Sequence, residues 1–313
     1  MPSKAQQVCE QLLGKIKWQA PLRGFCRCPG AHKHTHAEKE NDTCVFISAD
    51  TGLPTITCFH NSCMEEVEEA NRTLRDMFNI EGLLEPLSKE RREELSERRA
   101  RERAAKAKAL ANKGKILERY WPVGAWEKPV FASNAEQVEA FCGLFEKDDL
   151  LWVGEPHEVG PEHFYTPRRL HQIASQVDAE EYPHFTTAAV FRRAQGRRCN
   201  ANVLRVKYFV VEGDSLIGEV KTEEDKERNR AACWAITTWL KEAMGLRLRM
   251  VVDSGNKSLH SWFDMPDDPV RLEELKVFLK NIGCDPATFK LSQPVRMPGA
   301  VRDDKTQTIL WYE

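Results

Sequence analysis

The feature that most constrains this chain is a crowd of soft metal ligands near its amino end. Cys26, Cys28, His32, His34, His36, Cys44, Cys58, His60 and Cys63 fall in one short segment, whereas Cys142, Cys199, Cys233 and Cys284 are scattered. A segment this small buries too little apolar surface to fold on a core alone, so metal binding must supply much of its stability. Zinc takes four such ligands in a tetrahedron, usually as pairs on two short turns. Cys58 and Cys63 supply one pair, and Cys28 with one histidine of the triplet supplies the other. The favoured set is Cys28, His34, Cys58 and Cys63. Cys26 stands too close to Cys28 to share one metal easily, but Cys26 or His36 could replace a chosen member. Between the pairs, Cys44–Ile47 and Pro54–Thr57 read as short strands around an Asp-Thr-Gly turn, the outline of a zinc ribbon. Cys63–Ile80 then reads as a helix.

Metal is the right reading of clustered cysteines only where thiols stay reduced. The chain has no run of about 18 apolar residues, so no membrane span is expected. Its first residues, MPSKAQQVCEQLLGKIKW, read as an amphipathic helix without the apolar run and cleavage site of a signal peptide. The expected compartment is therefore the cytoplasm. With 313 residues there is room for two domains. The formal net charge is −2, so an anionic partner must be met by local patches or by metals rather than by a global field. A charge run from about Leu87 to Lys115 carries strong helix formers and acid–base pairs at helical spacing. It reads as a solvated helical linker, dividing a zinc ribbon at 1–80 from a catalytic core at 119–313, with the linker at 81–118.

The second unit alternates strand and helix signals, giving a mixed α/β expectation: a sheet packed by helices. Val203–Val211 is rich in β-branched and aromatic residues and reads as a strand. Within Glu227–Met244, Ala232, Ile236, Trp239, Leu240 and Ala243 form one apolar stripe that Gly245 ends. Leu248, Met250 and Val252 alternate with charged or outward positions, and Lys257–Phe263 reads as the next strand. A helix opens at Asp268 or Pro269 and closes at Gly283, and Thr306–Tyr312 reads as a last strand. Residues 120–200 read only as mixed α/β.

Three elements of this unit carry chemistry. Tyr208–Asp214 is an apolar strand ending in Glu212 and Asp214, which period two puts on one face. Two such carboxylates repel unless they share cations, and hard ions such as Mg²⁺ or Mn²⁺ suit oxygen donors. Next, strand alternation sets Ser258 and His260 on one face, with Lys257 and the Gly255 turn nearby, while Leu259 and Phe263 face helices. Hydroxyl, imidazole and ammonium on a rigid strand suit a triphosphate. Last, Arg296 precedes a Pro-Gly turn, with Asp285 upstream and Gln307 before the final strand. An arginine so held can clamp phosphate.

Together these elements resemble the archaeo-eukaryotic primase superfamily, the primase-polymerases, which has an acid-x-acid strand, a Ser-x-His strand and a third acid near the end of the core. The likeness covers about Tyr120 to Glu313, and Arg296 sits in the Arg-x-Pro-Gly signature of phage and plasmid members. The ribbon is similar to those at the amino end of many primases, although five residues separate Cys28 from His34 and four separate Cys58 from Cys63. The first acid, commonly aspartate, is here glutamate.

The resemblance implies a core with an RRM-like sheet and template-directed primer synthesis on single-stranded DNA from nucleoside triphosphates. It also implies that Glu212, Asp214 and Asp285 hold catalytic Mg²⁺ or Mn²⁺, with Asp303 and Asp304 as alternatives for the third acid. Ser258, His260, Lys257 and Arg296 would hold the nucleotide, and His60 would pack or touch nucleic acid. Many phage-type relatives carry a helicase domain beyond the core. This chain stops at Trp311-Tyr312-Glu313, so a replicative helicase is expected as a separate partner or not at all. The alternative expectation is a catalytically silent zinc-ribbon module that binds nucleic acid and recruits a helicase.

Overall fold

A computed structural model of the chain describes residues 2–34, 43–58, 63–84, 88–122, 129–194 and 198–313. It divides into two compact units, Met1–Ala100 and Arg101–Glu313.

The first unit opens with α1 (Lys4–Leu13), capped by Ser3 and Gln6, whose side chains each accept from the other's backbone N–H. Four antiparallel strands follow in sequential order: β1 (Lys17–Ala20), β2 (Arg23–Cys26), β3 (Thr43–Ile47) and β4 (Pro54–Cys58). The last two are the expected ribbon strands, whereas the β1–β2 hairpin has no strong sequence signal. α2 (Met64–Ile80) follows with Cys63 at its N-cap, close to the helix expected over Cys63–Ile80. One face of the sheet is buried: Val45, Ile47 and Ile56 pack with Val8 and Cys9 of α1 and Val67, Leu74 and Phe78 of α2. Asn71 of α2 pins β4 by accepting from Ile56 N at 2.7 Å and donating to Ile56 O at 2.9 Å.

The charge run is a continuous helix, α3 (Lys89–Tyr120). Its second half departs from the expected solvated linker. Ala109 and Ile116 are buried in the core of the second unit, and Lys113 Nζ donates to Leu216 O at 2.8 Å and Ile282 O at 3.3 Å. Two small apolar positions among many charges are too sparse to read as a core face in sequence.

In the second unit, residues 134–206 form α4 (Asn134–Gly143), β5 (Leu151–Gly154), β6 (Phe164–Tyr165), α5 (Pro167–Ala174), β7 (Phe185–Thr187), β8 (Ala189–Phe191) and β9 (Val203–Val206). The main sheet then runs β10 (Tyr208–Glu212), α6 (Glu223–Glu242), β11 (Leu248–Asp253), β12 (Leu259–Asp264) and α7 (Pro269–Ile282). The chain ends with β13 (Pro294–Arg296), β14 (Val301–Arg302), β15 (Lys305–Thr306) and β16 (Ile309–Tyr312). The expected single strand Val203–Val211 is two strands. It breaks at Lys207, whose N–H turns to Ala188 O, so that β9 pairs with β8 and β10 with β12.

Four strands pair antiparallel in the order β10-β12-β11-β16. The chain order β10-α6-β11-β12-α7-β16 is a split βαββαβ arrangement, with its last strand beside β11. Side chains alternate between the two faces. Phe209, Val211, Val251, Leu259 and Phe263 meet α6 and α7, while Tyr208, Val210, Met250, Val252 and Trp262 meet a second core with α4 and α5. A further sheet, β13-β7-β5-β6, contributes Val153 and Val295 to that second core.

Candidate metal centre and carboxylate site

The first unit brings four ligand atoms together. Those of Cys28, His34, Cys58 and Cys63 all lie within 4.8 Å of one another. Cys28 Sγ stands 3.6 Å from Cys63 Sγ, and Cys58 Sγ stands 3.6 Å from His34 Nε2. A zinc tetrahedron with bonds of about 2.3 Å to sulfur and about 2.0–2.1 Å to nitrogen has S···S edges of about 3.8 Å and S···N edges of about 3.6 Å. The spacing and the soft donor set therefore fit zinc. Local structure makes the site: Cys28 follows β2, His34 ends a 3₁₀ turn over Ala31–Lys33, Cys58 ends β4 and Cys63 opens α2. Gly30 is required there, because a Cβ at that position would meet Cys63 Cβ at 2.5 Å. Cys26 is buried and outside the group. The alternative ligand His36, and His60, expected to pack or touch nucleic acid, lie outside the described residues.

In the second unit, Glu212 ends β10 directly across from His260 on β12. Ser258 shares the His260 side of the sheet, and its hydroxyl donates to Glu212 Oε1 at 2.7 Å. His260 Nε2 lies 3.3 Å from the same oxygen, close enough for charge but off the axis of a good hydrogen bond. Both imidazole nitrogens are thus buried without a hydrogen-bond partner. Burial pushes the Glu212 carboxyl up, but His260, the Ser258 hydroxyl and Arg296 outweigh it and bring it down to about 2. Glu212 is a carboxylate at neutral pH.

Asp214 follows Gly213 and pairs with Lys257 Nζ at 2.9 Å. Asp285 arrives from beyond α7: Gly213 bridges Cys284, and Asp285 N donates to Glu212 O at 2.9 Å. Its Oδ1 accepts from Ala287 N at 2.8 Å, capping a 3₁₀ turn. Burial raises the Asp285 carboxyl, and the charges of Glu212 and Asp214 raise it further. That repulsion is what a shared cation relieves, and all three acids are hard oxygen donors. Their oxygens are nevertheless more open than the zinc set. Among the described residues, only the Cys28 group has three or more such donor atoms mutually within 4.8 Å.

Asp303 and Asp304 form the two-residue turn between β14 and β15, both at positive φ, 50° and 59°. Arg296 ends β13 with its guanidinium over the Phe185 ring at 4.6 Å, and its Nη1 is buried without a hydrogen-bond partner. Gln307 is fully buried, with both amide atoms likewise unpartnered.

Sequence reasoning missed Asn229 on α6. This buried amide donates to Gly213 O at 2.7 Å and Lys257 O at 2.8 Å, and accepts from Leu216 N at 2.9 Å. It ties the acid loop to the start of the Ser-x-His strand. A polar residue in line with Cys233, Ile236 and Leu240 on the buried stripe was the available signal. Arg230, its neighbour, pairs with Asp253 ahead of the Ser-Gly-Asn turn.

Comparison with known proteins gives no match: no family model, no curated protein and no solved structure matches this chain. No described helix is long and apolar enough to cross a membrane.

Proposed function

We propose that the chain is a template-directed primase-polymerase, making primers on single-stranded DNA from nucleoside triphosphates. The observation that carries this reading is the register of Glu212 against His260, with Ser258 on the same carboxylate and Asp285 bonded to the Glu212 backbone. This convergence of residues from distant parts of the chain supports the resemblance to primase-polymerases. Mg²⁺ or Mn²⁺, when bound, would activate the attacking hydroxyl and neutralise the departing pyrophosphate. Glu212, Asp214 and Asp285 would hold it. The buried, unpartnered Nη1 of Arg296 suits a phosphate oxygen, and His260 has ring nitrogens to offer once it turns from Glu212. Lys257 would exchange Asp214 for phosphate. The zinc ribbon would hold template, and a replicative helicase would be a separate partner in a cytoplasmic replication complex of bacterial, phage or plasmid type.

The second reading, a silent nucleic-acid-binding module that recruits a helicase, is favoured by one observation: Lys257 already neutralises Asp214 at 2.9 Å. Incorporation of labelled nucleotides on primer-free single strands separates the two, with both nucleotide types and with Mg²⁺ and Mn²⁺. Glu212→Ala with Asp214→Ala abolishes incorporation and leaves zinc content unchanged. Undiminished synthesis by the double variant rejects the polymerase reading, and a wild-type protein that binds strands but never extends them favours the second.

A further inference from the structure

The four-stranded sheet of the first unit has two unlike faces. The covered face packs on α1 and α2, as described. The open face carries Lys17, Arg23, Phe25, Cys44, Phe46 and Thr57. Register makes this one continuous surface: Lys17 lies across from Phe25, Phe25 from Cys44, Cys44 from Thr57, and Arg23 from Phe46. Phe46, on an interior strand of the sheet, is 49% exposed, and Phe25 is half-buried beside it. The Arg23 guanidinium lies 5.6 Å from the Phe25 ring centroid.

Charge is segregated across the same unit. The strands Lys-Trp-Gln-Ala, Arg-Gly-Phe-Cys, Thr-Cys-Val-Phe-Ile and Pro-Thr-Ile-Thr-Cys contain no Asp or Glu. α2, behind them, carries Glu65, Glu66, Glu68, Glu69 and Asp76. A protein of net charge −2 thus has, among its described residues, a strand face free of acids that carries two cations, an exposed ring and a half-buried one. An apolar protein partner would have no use for the cations, and duplex DNA keeps its base faces stacked away from rings. Single strands offer both an anionic backbone and unstacked bases, which aromatic side chains accept without regard to sequence.

We infer that the open face of β1–β4 is a stacking platform for single-stranded nucleic acid, with Phe25 and Phe46 under bases and Lys17 and Arg23 on the backbone. This deepens the proposed function by naming where template is held, and it rests on that reading only for the identity of the strand as template. The zinc ligands hold β2 and β4 at their ends and so fix the platform's shape without touching the strand.

The test uses the full, zinc-loaded chain and a fluorescent oligo-dT. Phe46→Ala weakens binding by about 10-fold, as loss of one base–ring stack does, and Phe46→Tyr restores it. Replacing Arg23 and Lys17 with Gln lowers the salt dependence by about 0.7 for each lost phosphate contact. Cys44 supplies a second readout that needs no mutation: oligo-dT protects it from alkylation, read by peptide mass. Unchanged affinity in Phe25→Ala and Phe46→Ala together with undiminished Cys44 alkylation overturns the platform, even in an active polymerase. Platform binding that depends on Phe46, in a protein that never extends a primer, would instead sink the polymerase reading and leave the platform standing.

Discussion

Glu212 concentrates the energetics of the site in one side chain. Its carboxylate is only 19% exposed and answers to Ser258, His260 and Arg296. Because its folded pKa falls from 4.5 to about 2, it contributes stability that is fully present above the unfolded value. That contribution is lost as pH falls from about 5 toward 2, and at about 1.4 kcal/mol per pKa unit its ceiling is roughly 3 to 4 kcal/mol. Thermal unfolding of the second unit without added divalent cation should therefore steepen in its pH dependence over this window. Glu212→Gln keeps an acceptor for Ser258 and should flatten the dependence; an unchanged slope would mean that the charge is not held by its neighbours.

At the level of elements, the division between legible and illegible follows the range of the contacts. The four candidate zinc ligands were readable because short turns bring each pair together within a few residues. β11, β12, α6 and α7 were readable from periodicity, and Gly283 closes α7 at φ 109° as its position predicts. The sheet β13-β7-β5-β6 was not: its strands are two to four residues long and pair across distant sequence, leaving no periodic signal. Asn229 was hidden for the same reason, since its partners Gly213 and Lys257 lie in other elements. The β14–β15 hairpin is a local feature with a correctable flaw. Both turn residues sit at positive φ, where Asp is tolerated less well than Asn or Gly. Asp303→Asn with Asp304→Gly should stabilise the second unit by about 1 kcal/mol, measured by denaturant unfolding. A destabilised variant would mean that the acids serve more than the turn.

The whole chain has its apolar interior in separate clusters, one within the first unit and the others within the second. Among the described residues, only the first contains a soft metal-ligand set. Chelation of zinc should melt the first unit alone, leaving a second calorimetric transition in place; loss of both transitions together would contradict that division. Cys58→Ser with Cys63→Ser should lose zinc and impair primer initiation more than extension, and equal loss of both would make the ribbon merely structural. The second half of α3 bears on how the molecule may be cut. Ala109 and Ile116 fill the interior against α6 and α7, and the Lys113 ammonium caps carbonyls at Leu216 and Ile282. A recombinant fragment beginning at Arg101 should be soluble and protease-resistant, whereas one beginning at Trp121 lacks Ala109 and Ile116, uncovers the core they pack in, and should aggregate. Lysines and arginines line the helix, yet in the native chain trypsin should clip the exposed basic residues ahead of Arg101 and spare Lys113 and its surroundings, so digestion itself would report where the second unit begins.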